Sequence, residues 1–164
     1  MDIERSTRLL STLLILSATT LLATILATLR GRHGFGASAT MLAIVAIVVA
    51  PLYALLTLAV PIHVGDAEAT GVTISPWGMR CALLAAGVGL TAMLSLGAAL
   101  RRAVLVISGM RGAVIGAAAG AWAGLAVFVF CPSGDRLHLL VGHVLPVIAL
   151  TVTGLVLLPR SLRP

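Results

Sequence analysis

Acidic residues are few in this chain, and none of them lies in an apolar stretch. The five are Asp2, Glu4, Asp66, Glu68 and Asp135. A proton or cation relay through a membrane normally needs an ionisable residue inside a membrane helix. Their placement argues against a pump, an ion-coupled transporter or an intramembrane protease. The chain also has no Ser-His-Asp set, HExxH motif, phosphate-binding glycine loop or dinucleotide-binding motif, and we infer that it is not an enzyme.

Lysine is absent, and aromatic residues are scarce. The eleven basic residues other than histidine are all arginines, and only six residues are aromatic. A nucleic-acid surface usually combines a basic patch with stacking aromatic side chains, and the sequence offers neither. The arginines instead flank long apolar stretches, where they set membrane orientation and contact anionic headgroups. We therefore expect a lipid bilayer around the protein and no direct nucleic-acid partner.

Apolar sequence is what the chain has in abundance. Hydrophobic residues make up 60% of the 164 residues, and the mean hydropathy is +1.15. A soluble domain of this size could not bury so much apolar surface. Five stretches are long enough to cross the roughly 30 Å hydrocarbon core as helices. They are residues 9–29, 39–61, 81–100, 112–131 and 137–158. The sequence predicts a single all-α integral membrane domain over residues 1–164, a bundle of five transmembrane helices.

The fourth stretch carries a regular row of glycines. Gly112, Gly116, Gly120 and Gly124 recur at every fourth residue, which places them along one face of a helix. Small residues on one face let the backbones of neighbouring membrane helices approach closely. We predict that this helix is the centre of the bundle and packs through this glycine ridge. One hypothesis for function is therefore a small structural subunit whose ridge meets a helix of another membrane protein.

An odd number of spans puts the two termini on opposite sides of the membrane. With the loop after the third span in the cytoplasm, seven arginines lie inside and four lie outside. The inside set is Arg30, Arg32, Arg101, Arg102, Arg111, Arg160 and Arg163, and the outside set is Arg5, Arg8, Arg80 and Arg136. Cytoplasmic loops carry the excess of basic residues. This predicts an N-terminus outside and a cytoplasmic C-terminus. The arginine-only basic set, with much Ala, Gly and Leu, is typical of a GC-rich bacterial genome, which makes the expected location a bacterial inner membrane.

Only two cysteines occur, and their placement is the most informative chemical feature. Cys81 begins the third stretch, and Cys131 ends the fourth. Helices joined by a short loop are antiparallel neighbours, so both sulfurs are expected at one membrane face, the outer one in this orientation. Three interpretations remain open. The pair is a structural disulfide, a thiol pair that senses oxidant or a soft metal, or two unconnected small buried side chains.

The histidines, at positions 33, 63, 138 and 143, add candidate ligands. A soft metal bound by Cys81, Cys131 and His138 at the outer rim is geometrically feasible, and no other cofactor is expected. The competing interpretation of His138 is a hydrogen-bonded interfacial histidine. His143 follows five residues later, and five residues of α-helix turn it roughly 140° away. We therefore expect that His138 and His143 do not share a face.

From Trp77 onward the sequence resembles the NrsF-like family of inner-membrane anti-sigma proteins. The matching features, in chain order, are Trp77-x-x-x-Cys81, Leu100-Arg101-Arg102, the glycine ridge, Cys131-Pro132 and the position of an aromatic pair in the last helix, here Gly142-His143. They cover about the last half of the chain. The family's first helix and cytoplasmic N-terminal segment have no counterpart among these features.

The resemblance implies a regulatory function. Members of that family hold an extracytoplasmic-function sigma factor at the membrane and release it under stress such as heavy metals or oxidants. By position, the periplasm-facing cysteine pair taken as their sensing element would be Cys81 and Cys131 here. The first hypothesis is therefore a non-enzymatic membrane regulator with a sigma-factor partner, and the assembly subunit that packs through the glycine ridge is the alternative.

Overall fold

The computed structural model describes residues 38–59, 76–101, 108–131 and 135–161, together with six separate residues of the first predicted span. Those six are Leu14, Ile15, Ser17, Ala18, Leu21 and Ile25, and all of them are helical. The rest of that predicted span lies outside the described residues. Every regular element in the described part of the chain is a helix.

Four helices in the described ranges are long and apolar enough to cross a membrane. α1 spans Ala39–Ala59, α2 spans Pro76–Arg101 and α3 spans Gly109–Val129. The last helix begins as α4 (Arg136–Leu139), passes through a π-helical turn (Leu140–Val144) and continues as α5 (Leu145–Ser161). These helices correspond to the second to fifth predicted spans. The predicted all-α architecture is confirmed for them, while a membrane helix over residues 9–29 and the orientation stay predictions.

Polar caps set helix ends that differ slightly from the predicted ones. α3 begins at Gly109 because the Ser108 hydroxyl accepts a hydrogen bond from the backbone N–H of Arg111 at 3.3 Å. It ends at Val129, so Cys131 lies just beyond the helix. A carboxylate oxygen of Asp135 accepts from the backbone N–H of His138 at 2.9 Å and so caps the first turn of the last helix.

α3 lies at the centre of the bundle, where it contacts α1, α2 and the last helix. In the most apolar stretch of α3, 78% of the residues are buried, against 22% in that of α1 and 28% in that of α2. The outer helices bury one stripe each, which on α2 runs through Cys81, Ala85, Met93 and Leu100. Their other sides expose large apolar side chains, as a surface that faces lipid does.

The glycine ridge faces the chain's own helices. A side chain at Gly112 would overlap the carbonyl oxygen of Gly154 on α5, and one at Gly116 would overlap the carbonyl oxygen of Leu150. Bare glycines therefore let α3 and α5 touch backbone to backbone. Gly124, at the other end of the row, lies under the ring of Tyr53 on α1. The chain's own helices therefore cover the ridge. The assembly-subunit hypothesis needs a ridge that is open to a helix of another protein, and this ridge is not.

Candidate functional site

Four side chains with metal-binding atoms meet at one end of the bundle. They are Cys81, Cys131, His138 and His143, and we call them the thiol–imidazole cluster. All four are buried, and one ligand atom of each lies within 4.8 Å of the others. Cys81 comes from the start of α2, Cys131 from just after α3, and the histidines from the start of the last helix. The sequence-predicted set lacks only His143.

No disulfide joins the two cysteines. Sγ of Cys131 lies 3.0 Å from Nε2 of His138 in a buried contact. Either the thiol donates its proton to the ring nitrogen, or the ring donates to a thiolate. The structure brings both sulfurs into one cluster, while the three interpretations of the pair stay predictions.

The π-helical turn brings His143 into the cluster. Backbone hydrogen bonds in a π-helix link residues five apart, as between the N–H of Leu145 and the carbonyl of Leu140. Residues at this spacing come to the same side of the helix. The ring centroids of His138 and His143 are 5.8 Å apart. The expectation that the two histidines do not share a face is therefore wrong, because it assumed a regular α-helix.

Pro146 gives a physical reason for this turn. It has no N–H to donate, and in an α-helix its ring would clash with the carbonyl four residues earlier, that of Gly142. A wider turn relieves such a clash. Gly142 itself packs against α2, where a Cβ would lie 3.2 Å from the Cβ of Cys81. The signal that could have placed His143 in the cluster is thus the proline less than one turn after it.

The ring of His143 is held by two contacts from α3. Nδ1 lies 3.4 Å from the carbonyl oxygen of Gly124, and this assigns the proton to Nδ1 because a carbonyl only accepts. Phe128 packs against the ring edge to face, with the centroids 5.6 Å apart. Nε2 is left as the unprotonated nitrogen, and it is buried without a hydrogen-bond partner. Metal-bound histidines are commonly oriented in this way, by a carbonyl at the nitrogen that does not bind the ion.

Two other buried polar atoms in this region lack a hydrogen-bond partner. They are Nδ1 of His138 and the hydroxyl of Tyr53. Tyr53 lies over Gly124, where a Cβ would come within 2.6 Å of the hydroxyl oxygen. An unsatisfied buried polar group costs about 1–3 kcal/mol, so their concentration here is a reason to expect a further bound group. Sequence reasoning did not select Tyr53, because no motif surrounds it.

Comparison with known proteins identifies the family. The sequence model of the family described as NrsF, negative regulator of sigma F, matches the chain over residues 2–163. No curated protein matches the chain, and neither does any solved structure. The family match extends through the first predicted span, so the expectation that the resemblance is confined to about the last half is wrong. The chain belongs to the NrsF family of negative regulators of sigma F.

Proposed function

We propose that this protein is a non-enzymatic membrane regulator that holds an extracytoplasmic-function sigma factor and releases it when Cys81 and Cys131 react. Family membership supports the sigma-factor partner, and the four membrane-length helices support a multi-pass protein. The observation that carries the sensing proposal is that both thiols meet in one buried cluster, with ligand atoms within 4.8 Å of one another.

Oxidant and soft metal would act on the thiol pair in different ways. One peroxide molecule takes two electrons from the two thiols, which gives one disulfide and two water molecules. A soft metal ion instead displaces the two thiol protons and binds both sulfurs. Disulfide formation draws the two sulfurs together, and so it displaces the start of α2 relative to the end of α3. A soft metal ion joins both sulfurs and fixes these two helix ends relative to each other.

Close packing along α2 and α3 supports transmission of such a displacement. A Cβ at Gly89 of α2 would lie 3.3 Å from the carbonyl oxygen of Ala119 and 3.3 Å from the Cβ of Ala123. We propose that the shift moves the arginine-rich segment 101–111, of which residues 102–107 lie outside the described residues, and thereby changes its affinity for the sigma factor. The regulator would then exist in two arrangements, before and after this shift of α2. A signal changes their populations only as far as its affinities for the two arrangements differ.

The proposal includes an orientation, with the thiol–imidazole cluster near the periplasmic face of a bacterial inner membrane and the C-terminus in the cytoplasm. The count of seven arginines inside against four outside supports it. A green fluorescent protein fused to the C-terminus should fluoresce, because this reporter folds in the cytoplasm. Activity of a C-terminal alkaline phosphatase fusion would contradict the orientation, because that enzyme matures only outside the cytoplasm.

The function is tested with a transcriptional reporter for the sigma factor, in cells that express the regulator at its natural level. Deletion of the regulator should raise transcription at rest. Cys81→Ser and Cys131→Ser should each change the response to peroxide or cadmium. Thr91→Ser, on an exposed position of α2, is the control and should respond as the wild type does.

The two parts of the proposal fail separately. Unchanged responses in both cysteine variants would remove the thiol mechanism and leave the sigma-factor partner. Unchanged transcription after deletion would remove negative regulation itself.

A further inference from the structure

We infer that the thiol–imidazole cluster is a tetrahedral site for a resident Zn²⁺ ion, with His143 as the fourth ligand. The inference rests on the proposed function only in that both use the same two thiols. Because metal binding is measured on the purified protein without a sigma factor, the two can fail independently.

The donor set is that of a closed zinc site. Structural Zn²⁺ has four protein ligands, and two thiolates with two imidazoles are one of its common sets. With Zn–S of about 2.3 Å and Zn–N of about 2.0–2.1 Å, tetrahedral ligand atoms lie about 3.3–3.8 Å from one another. The four ligand atoms here already lie within 4.8 Å of one another. Small side-chain rotations therefore suffice to complete the tetrahedron.

Charge and burial also fit a divalent ion. The exposed fractions of the residues are 9% for Cys81, 3% for Cys131, 2% for His138 and 0% for His143. Two thiolates neutralise Zn²⁺, and two neutral imidazoles add no charge, so the filled site is neutral. A neutral site avoids the high cost of an unpaired charge buried in a membrane protein. Binding displaces the two thiol protons.

The unpartnered nitrogen of His143 is an independent indication of a ligand. Its Nε2 is buried with no hydrogen-bond partner, while Nδ1 faces the carbonyl oxygen of Gly124 at 3.4 Å. Zn²⁺ would take the lone pair of Nε2, and the carbonyl would keep the ring oriented, as outer-shell groups do in zinc sites. A merely structural histidine would leave this nitrogen unsatisfied, at the cost of a lost hydrogen bond.

A resident ion would define the resting state of the regulator. It would join α2, the end of α3 and the last helix at one point. Peroxide would convert the two bound thiolates to a disulfide, with two protons taken up, two waters formed and Zn²⁺ released. The bound ion would therefore keep the three helices together at rest, and its release by peroxide would end that contact.

The test uses the full chain, purified in detergent without a polyhistidine tag. Elemental analysis should find one zinc per chain. Replacement by Co²⁺ should give the intense visible bands of tetrahedral cobalt together with a thiolate charge-transfer band. His143→Ala should weaken Co²⁺ binding by more than the about 10- to 100-fold that loss of an outer-shell partner costs. His63→Ala removes a histidine outside the four and is the matched control.

Cys81→Ser keeps the size of the side chain and provides a second test if His143→Ala does not fold. It should lower the thiolate charge-transfer intensity by about half, since one of two thiolates remains. A wild-type protein that binds neither zinc nor cobalt stoichiometrically would overturn the inference, as would unchanged Co²⁺ affinity in a folded His143→Ala. If the cells still respond through the cysteines in that case, the proposed function stands without the zinc.

Discussion

The contact between α3 and the last helix is built differently at its two ends. At the end near Gly112, the two backbones touch. A side chain at Gly112 would overlap the carbonyl oxygen of Gly154, and a side chain at Gly154 would overlap that of Gly112. At the end near Cys131, side chains join the helices, with Sγ of Cys131 3.0 Å from Nε2 of His138.

The glycine end is therefore the rigid part of this contact, and the Cys131 end is the part with reactive side chains. Backbone contact across bare glycines leaves no space for movement, because protein interiors are packed as densely as crystals. Side-chain contacts rearrange by rotamer changes and respond to bound ions, and the π-helical turn lies at this end as well. We expect the glycine end to hold α3 and α5 together as one unit, and the thiol–imidazole end to be where a signal acts and shifts α2 against that unit.

The largest expected effect comes from filling the glycine end. In Gly116→Ala the added Cβ would overlap the carbonyl oxygen of Leu150 and lie 3.1 Å from the Cα of Thr151. Because these neighbours are backbone atoms, the helices must separate. Overpacking costs about 1–3 kcal/mol, and more where nothing can yield, so we expect a loss of about 3 kcal/mol or more. Unfolding of the purified protein in detergent measures it.

Gly87→Ala is the matched control for that prediction. Apart from the neighbouring backbone of α2 itself, no atom of the described residues lies within 4 Å of a Cβ at this position. The change should be neutral or stabilising by up to about 1 kcal/mol, because alanine favours a helix over glycine. Equal losses of stability in Gly87→Ala and Gly116→Ala would contradict the special tightness of the glycine end.

The next largest effect is expected from Pro146→Ala at the other end. The substitution restores an N–H, so a regular α-helix can replace the π-helical turn and rotate His143 away from His138. We expect Co²⁺ affinity to fall by about 10- to 100-fold, as for other losses of ligand orientation, with helix content unchanged. A cobalt titration followed by absorbance measures the affinity.

Pro51→Ala is the control for the loss of a proline. Pro51 lies inside α1 on an exposed face, far in sequence from the last helix. Its replacement should leave the cobalt titration unchanged. If Pro146→Ala also gives the wild-type spectrum and affinity, Pro146 does not position His143.

A smaller effect is expected from the cap of the last helix. Asp135→Ala removes the acceptor for the backbone N–H of His138. The loss should be about 1 kcal/mol, typical for an N-cap, and hydrogen exchange of the first turn should become faster. Asp135→Asn keeps a capping oxygen and should retain most of the stability. Equal effects of the two variants would assign the loss to charge and not to the cap.

The smallest predicted effect concerns the ring against His143. Phe128→Leu keeps an apolar side chain but removes the edge-to-face contact, whose centroids are 5.6 Å apart. Such ring pairs contribute about 0.5–1.5 kcal/mol, so Co²⁺ affinity should fall only a few-fold. Phe130→Leu is the control, because Phe130 is 87% exposed and its loss should change nothing. A similar fall in both variants would show that the ring contact does not orient His143.

Local sequence was enough to predict most of the helical framework and part of the site. Uncharged runs of about 20 residues predict membrane helices because lipid leaves the backbone no other partners. The meeting of Cys81 with Cys131 follows from the short connection between two antiparallel helices. The caps at Ser108 and Asp135 moved helix ends by one to three residues, which hydrophobicity alone does not resolve.

The sequence by itself determined where the described helices lie, which helix face carries the small residues and which end of the bundle carries the thiols. These features depend on neighbours within a few residues. Tertiary structure decided that the glycine ridge meets α5 within the same chain and that Tyr53 lies over Gly124. It also decided that His143 joins the thiols. That outcome needs a local departure from the 3.6-residue period together with packing against two other helices, and residue spacing alone specifies neither.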